Sequence, residues 1–145
     1  MNKRKQFGYS LIELLTAVAI VGILASIIVP SYRDSVRKAR RSDSQAVVLE
    51  LQQFMERFYT ENGRYDQDRA GNPVTDSIPV LLQSSPKEGA VVHYNLVVGN
   101  LAERTFTITA TPAGDQSSDK CGNLTLTEAG TKGMSATGLT IAQCW

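Results

Sequence analysis

Hydrophobic and polar positions follow three successive patterns along the chain. The first is an uncharged apolar run from Leu14 to Val29, which with Leu11 and Ile12 reaches about the 20 residues that a membrane-spanning helix needs. The run is apolar on every side, which excludes an amphipathic surface helix. It therefore predicts a helix that spans a membrane.

The second pattern is a helical stripe that continues the first as far as Tyr59. Its apolar side chains recur at spacings of three and four residues and are Val47, Val48, Leu51, Phe54, Met55 and Phe58. Polar residues occupy the opposite side. We therefore expect one long helix over residues 9–60, whose first part, 9–30, lies in lipid and whose second part packs against a domain core.

The third pattern is an alternation typical of strands. It follows a polar segment at 61–92, rich in Gly and Pro, that we interpret as a connecting loop. Three strands are predicted, in VVHYNLVV, RTFTITATP and NLTLT, because β-branched and aromatic residues alternate with other side chains. An antiparallel sheet within 93–145 with one apolar face would pack on the helix stripe, so the expected fold class is α+β.

Charged residues are unevenly distributed, although the whole chain has a net charge of +1. Three cations at positions 3–5 precede the apolar run, which fits a cytoplasmic N-terminus. A basic group follows the run and consists of Arg33, Arg37, Lys38, Arg40 and Arg41. It is interpreted as a solvated helix face, with anionic headgroups or acidic surfaces of neighbouring subunits as the alternative contacts.

From Ser42 onward seven Lys and Arg stand against twelve Asp and Glu, a net charge of −5, which argues against nucleic acid as the main partner.

The chain has two cysteines, Cys121 and Cys144. An even count, with one cysteine next to the last residue, suggests a disulfide that closes the C-terminal segment. Such a bond requires an oxidising compartment, such as the periplasm or the cell exterior. The alternative is a pair of free buried thiols.

A single carboxylate, Glu13, lies within the apolar stretch and distinguishes two interpretations of it. One is a secretory signal peptide cut after the run, but no A-x-A-like cleavage site is evident. The other is a retained helix whose leader is cut at Gly8. A carboxylate in lipid costs a few kcal/mol near a helix centre, and a disposable signal gains nothing from it.

Cleavage after Gly8 would give the retained helix a reason to keep this carboxylate. The new N-terminus, Tyr9, would carry an α-amine one helical turn from Glu13. In a low dielectric the two charges would pair strongly, either within one chain or between neighbouring helices. Small residues such as Ala17 and Gly22 would permit close approach of those helices.

The stretch GYSLIELLTAVAIVGILASIIVPSY resembles the N-terminus of a type IV pilin. The family pattern is a short basic leader, a glycine at the cut, an aromatic first residue, a glutamate four residues later and an apolar helix. Gly8, Tyr9 and Glu13 occupy these positions, with Tyr9 where the family usually has phenylalanine. Gly22 and Pro30 occupy positions where pilins carry residues that loosen the helix. The alternative for Pro30 is a passive kink.

This resemblance implies how the protein is processed and where it works. A prepilin peptidase would remove the leader, residues 1–8, between Gly8 and Tyr9 and methylate the new amine of Tyr9. The mature subunit would wait in the inner membrane as a single-pass protein with its soluble part in the periplasm. The inner-membrane assembly platform would then extract it into an extracellular helical filament, together with other pilin subunits, for adhesion, motility or DNA uptake.

The C-terminal part, CGNLTLTEAGTKG followed by a terminal CW, resembles minor pilins of the PilE type, in which the two cysteines close the last loop. Some relatives of this subset are receptors for DNA. After residue 80, however, four basic residues stand against five acidic ones: Lys87, Arg104, Lys120 and Lys132 against Glu88, Glu103, Asp115, Asp119 and Glu128. DNA is therefore a possible but electrostatically disfavoured partner.

Three functional hypotheses follow, and none of them is an enzyme. The chain has one histidine, His93, and lacks a recognisable nucleophile or metal-ligand motif, so no cofactor, metal or catalytic residue is expected. The first hypothesis is a structural, minor pilus subunit. The second is a pilus-associated adhesin or DNA-uptake receptor. The third is a pseudopilin of a type II secretion system, against which the terminal cysteine loop favours the pilus branch.

Overall fold

The computed structural model describes residues 10–145, which form two α-helices and one five-stranded sheet joined by loops and short 3-10 turns. The helices are α1 (Leu11–Asn62) and α2 (Ile141–Cys144). The strands are β1 (Ser84–Ser85), β2 (Tyr94–Gly99), β3 (Thr107–Pro112), β4 (Leu124–Thr127) and β5 (Lys132–Met134). The described chain divides within α1 into two compact units, of which the first ends at Val36 and the second is Arg37–Trp145.

In the first unit, α1 exposes its apolar side chains on every side. The large aliphatic residues at positions 11–29 are 49–76% exposed. Hydroxyl groups in this part return to the helix backbone, since Thr16 donates to the Glu13 carbonyl at 2.9 Å and Ser26 donates to the Ile23 carbonyl at 2.7 Å. The helix is long and apolar enough to cross a membrane, and these internal hydrogen bonds satisfy polar groups that lipid cannot solvate.

In the second unit, an antiparallel sheet places its strands in chain order from β1 to β5. The pairing register aligns apolar residues across neighbouring strands. Leu96 lies opposite Ala110 and Val98 lies opposite Ile108, which in turn lies opposite Leu126 in β4. All five side chains are buried, whereas the intervening residues of β2 are exposed. The sheet therefore has one apolar face, as its alternating pattern predicted.

That apolar face shares one core with the buried stripe of α1, which consists of Val47, Val48, Leu51, Met55 and Phe58. The four-residue and three-residue spacings keep these side chains on one side of the helix. The predicted α+β fold, with a long N-terminal helix and a small antiparallel sheet, is confirmed.

The sheet has two short outer strands that the sequence pattern does not predict. β1 contains only Ser84 and Ser85 and lies in the segment interpreted as a loop, where it pairs with the start of β2. β5 contains a glycine, Gly133, and carries no apolar alternation. Both strands form because a neighbouring strand offers unpaired backbone groups, a tertiary cause that local composition does not encode.

The last residue covers the β5 edge of the sheet. The indole Nε1 of Trp145 donates to the Gly133 carbonyl at 2.8 Å, and the Lys132 ammonium lies 5.2 Å from the centre of the indole ring. Trp145 therefore occupies a position where an open edge strand would otherwise present free backbone groups to solvent.

Candidate functional site

The N-terminal residues predicted to act in processing and assembly lie partly within the described structure. Glu13 lies in the first turn of α1 on an exposed surface, while Gly8 and Tyr9, with the predicted cleavage, methylation and amine–Glu13 pairing, lie outside the described residues. A side chain at Gly22 would meet no atom of the chain within 4 Å. Pro30 lies inside α1, and the helix continues on both sides of it.

The C-terminal loop is closed by the expected disulfide. Cys121 and Cys144 are bonded, their Cα atoms are 5.6 Å apart, and both residues are buried. The bond joins the chain just before β4 to the last turn of α2. The alternative of two free thiols is thereby excluded, because the structure contains both cysteines in this bond.

A buried polar cluster lies next to the disulfide and consists of Arg41, Tyr94, Gln116 and Asp119. The guanidinium of Arg41 forms a two-pronged ion pair with the Asp119 carboxylate, with Nε 2.9 Å from Oδ2 and the second contact through Nη2. The Tyr94 hydroxyl also donates to Asp119, and Gln116 Nε2 donates to the Tyr94 hydroxyl at 3.1 Å. Three chain segments, α1, β2 and residues 116–119, are thus joined around one carboxylate.

Electrostatics within the cluster favour the ionised ion pair. Burial alone would raise the pKa of Asp119, but hydrogen bonds from Arg41 and Tyr94 outweigh burial and hold this pKa below its usual value. The pKa of Arg41 is raised, chiefly by its hydrogen bond to Asp119. Burial, assisted by the Asp119 hydrogen bond, raises the pKa of Tyr94 to about 12. At neutral pH the cluster therefore contains one cation, one anion and a neutral phenol.

The sequence pattern does not reveal this cluster, and the prediction that Arg41 belongs to a solvated helix face is wrong. Arg41 is in fact 4% exposed, and Asp119 is 6% exposed. A signal was present: Arg41 and Ser44 continue the buried stripe of α1 backward from Val48 at helical spacing. An arginine at such a position needs a carboxylate from elsewhere in the chain, although the pattern does not say which one.

A set of exposed or half-buried cations, here termed the basic shoulder, lies beside the cluster and consists of Arg37, Arg40 and Lys120. Arg37 Nη2 donates to the Ser118 hydroxyl at 2.7 Å, and the Arg37 carbonyl accepts from Gln116 at 3.1 Å. These contacts hold the segment that carries Lys120 next to the start of the second unit's helix.

Counting charge over this whole compact unit changes the electrostatic picture. The unit Arg37–Trp145 contains eleven Lys and Arg against twelve Asp and Glu, a net charge of −1 instead of the −5 obtained from Ser42 onward. Four basic residues of this unit, Arg37, Lys38, Arg40 and Arg41, precede Ser42 and account for the difference. One of these four charges affects a nearby histidine: burial, followed by the Arg40 charge, lowers the pKa of His93, against a smaller opposing effect of Asp115 and Asp43.

Comparison with known proteins agrees with the fold and with the N-terminal pattern. The family model described as "Type IV minor pilin ComP, DNA uptake sequence receptor" matches residues 30–125, about two thirds of the chain. The chain belongs to this family. A second model, the prokaryotic N-terminal methylation motif, matches residues 3–29 of this pilin. The prediction of a type IV pilin is confirmed.

Individual relatives include both pilins and a secretion protein. The type II secretion system core protein G of Aeromonas hydrophila is 31% identical over 71 residues, which are 49% of this chain and 50% of that protein. The type IV major pilin protein PilE of Neisseria gonorrhoeae is 32% identical over 72 residues, 50% of this chain and 43% of PilE. The chain spans about half the length of the first curated relatives that it matches.

Among solved structures, the non-core minor pilin PilV of Neisseria meningitidis superimposes with a TM-score of 0.54 at 20% sequence identity. The match covers 74% of this chain and 95% of the PilV chain. At this identity the comparison supports the fold alone: a long helix packed on an antiparallel sheet.

Proposed function

We propose that this protein is a minor structural subunit of a type IV pilus, anchored in the inner membrane before it enters the filament. One observation carries the proposal: the first part of α1 is apolar and exposed on every side, yet contains a single carboxylate, Glu13. Exposed aliphatic side chains of this extent need either lipid or other copies of such a helix around them. The match to the N-terminal methylation motif supports the same conclusion.

In this proposal, cleavage between Gly8 and Tyr9 creates the cation that Glu13 requires. Prepilin peptidase removes residues 1–8 and methylates the amine of Tyr9, which remains a cation after methylation. The ammonium of one subunit then pairs with Glu13 of its own chain or of a neighbour, so that neither charge remains alone in the apolar core. The subunit crosses the inner membrane once, with its N-terminus cytoplasmic and its soluble unit periplasmic, until the assembly platform extracts it.

Replacement of Glu13 tests this assembly role. We expect Glu13→Ala to lose the subunit from sheared filaments while membrane-bound protein persists, because the Tyr9 ammonium has no partner in the filament core. Asp76→Ala removes an exposed carboxylate from the soluble unit and serves as the matched control. Immunoblots of sheared filaments and of membranes give both quantities, and normal incorporation of Glu13→Ala would refute the pairing. N-terminal sequencing of filament protein should begin at methylated Tyr9.

DNA reception is the second candidate function, because the matching family model is described as a DNA uptake sequence receptor. The matched residues, 30–125, include the whole basic shoulder of Arg37, Arg40 and Lys120. The Arg37 side chain binds Ser118, and the Arg37 carbonyl accepts from Gln116, so the segment that carries Lys120 is held beside the part of α1 that carries Arg37 and Arg40. In this proposal the shoulder contacts backbone phosphates, while sequence selection comes from other groups.

Gel retardation of DNA by the detergent-solubilised full chain tests this second function. Replacing each shoulder cation by glutamine should weaken binding. It should also reduce the slope of the logarithm of the binding constant against the logarithm of the salt concentration, by about one per removed phosphate contact. Arg57→Gln, which neutralises an exposed arginine elsewhere on α1, is the control and should leave the shift unchanged. Fragments of the host genome are compared with scrambled DNA of equal composition. Absence of any shift at low salt would reject DNA reception and leave the filament role untouched.

A further inference from the structure

We infer that Arg41 is a second, non-covalent closure of the C-terminal loop, and that it is redundant with the disulfide in keeping the C-terminal segment, residues 141–145, seated on the fold. The disulfide joins positions 121 and 144. Arg41 joins nearly the same two points, because its guanidinium binds the Asp119 carboxylate and also donates from Nη1 to the Gln143 carbonyl at 3.4 Å. One side chain of α1 therefore bridges both flanks of the disulfide loop.

A second α1 side chain strengthens this closure one turn further along the helix. Gln45 Nε2 donates to the Cys144 carbonyl at 2.7 Å. On the other flank, the Cys121 amide donates to Asp119 Oδ1 at 3.4 Å. Both cysteines thus have backbone groups bound to residues of the Arg41 closure, and breaking the sulfur–sulfur bond removes none of these contacts.

The two closures are redundant because residues 141–145 detach only when both attachments are broken. With the disulfide intact, loss of the Arg41 contacts leaves residues 141–145 tethered beside Cys121, and the short tether favours their return. With the disulfide broken, the Arg41 and Gln45 contacts still hold the segment on α1. Only the loss of both closures frees the segment to open locally while the sheet and α1 remain folded.

The closure does not depend on redox conditions, and salt screens it little. The side chains of Arg41 and Asp119 are 5% and 0% exposed, so dissolved ions have little access to the pair. The same closure positions Lys120, the residue after Asp119, and hence one member of the basic shoulder. The inference concerns the seating of the loop and stands whether or not the shoulder binds DNA.

Trp145 provides the readout, because it is the one tryptophan of the chain and belongs to the seated segment. Its indole is half-buried and bonded to the Gly133 carbonyl, so detachment would expose it to water. The experiment uses the full chain in detergent micelles, oxidised or reduced with a phosphine. Acrylamide quenching and the emission wavelength of Trp145 report seating, and far-ultraviolet circular dichroism reports the fold.

The variant Arg41→Met with Asp119→Leu removes the closure while replacing both buried charges by apolar groups, a change that cores often tolerate. We expect Trp145 to stay protected in the reduced wild type and in the oxidised variant. In the reduced variant, quenching should rise severalfold and the emission should shift to the red. Arg57→Met, an exposed arginine of the same helix, is the control and should behave as wild type under both conditions.

Two results would overturn the inference. Full exposure of Trp145 on reduction of the wild type would make the disulfide the sole closure. Continued protection in the reduced variant would mean that neither closure is needed. If the double variant loses its fold by circular dichroism, Arg41→Gln with Asp119→Asn replaces it, since two neutral amides remove the ion pair while keeping polar side chains at both positions. The reduced Arg41→Gln, Asp119→Asn protein should then show more quenching than the reduced wild type, and equal quenching would again reject the inference.

Discussion

Arg41 and Asp119 form a buried ion pair across 78 positions of sequence. Arg41 belongs to α1, and Asp119 belongs to the segment between β3 and β4, two residues before the disulfide begins. The pair therefore attaches the segment before the disulfide to α1 through directed hydrogen bonds, which apolar packing does not provide.

Removing one partner of this pair should be far more damaging than removing both. We expect Arg41→Ala to lower the free energy of unfolding by about 3–5 kcal/mol, because Asp119 becomes a buried charge without a counterion. Arg41→Met together with Asp119→Leu should cost much less than Arg41→Ala. Urea unfolding of the full chain in detergent, followed by circular dichroism, measures both values. A similar loss in the two proteins would contradict the ion-pair explanation.

Acid should destabilise the second unit, Arg37–Trp145, through Asp119. Because the pKa of Asp119 is lower in the folded than in the unfolded protein, its contribution is fully present above the ordinary aspartate pKa of about 3.9. The contribution is lost as the pH falls from that value through the lower folded pKa. Urea unfolding over this pH range should show a steeper loss in wild type than in Asp119→Asn. Asp76→Asn, at an exposed position, should retain the wild-type slope.

Only part of this arrangement can be predicted from sequence. The α1 stripe and the strands around Leu96 and Ile108 are visible because their burial is periodic over neighbouring positions. The Arg41–Asp119 pair is not visible, because its partners are brought together by the tertiary fold and each also has exposed charged neighbours. β1 is missed for a related reason: two serines become a strand only because β2 lies beside them.

The assembly residues show a different limit. Glu13 stands out in the sequence because a carboxylate is costly in an apolar helix, and no knowledge of the fold is needed to recognise it. Its predicted partner, the amine of Tyr9, exists only after a covalent cleavage, so a single unprocessed chain does not contain the finished site. The disulfide between Cys121 and Cys144 was predictable because the chain offers one possible pairing.

Two tyrosines should ionise only in strong alkali. Burial together with the Asp119 hydrogen bond raises the pKa of Tyr94 to about 12, and burial followed by the nearby Glu56 carboxylate raises the pKa of Tyr65 to about 12. In an ultraviolet titration of the folded protein, these two of the five tyrosines should therefore ionise near pH 12.

Because both folded pKa values lie above the ordinary tyrosine value, stability should be lost as the pH rises from about 10 through about 12. Tyr94→Phe should reduce the late absorbance step by half. Tyr65→Phe should remove the other half of that step. Complete titration of all tyrosines near pH 10, with circular dichroism still native, would show that Tyr94 and Tyr65 are not shielded as described.

Substitutions at Gly22 should affect incorporation into filaments without lowering the stability of the isolated subunit. A Cβ at this position would meet no atom of the chain within 4 Å, and the backbone is ordinary helix. Gly22→Ala should therefore leave the isolated subunit at least as stable, since alanine favours a helix over glycine by about 1 kcal/mol.

Gly22→Leu fills the space where a neighbouring helix would approach and should reduce incorporation into filaments without reducing membrane-bound protein. Comparing sheared and membrane fractions of the two variants checks this, with Ala17→Leu as a second small-residue position on the same helix. Equal incorporation of Gly22→Leu and wild type would mean that helices in the filament do not approach one another at Gly22.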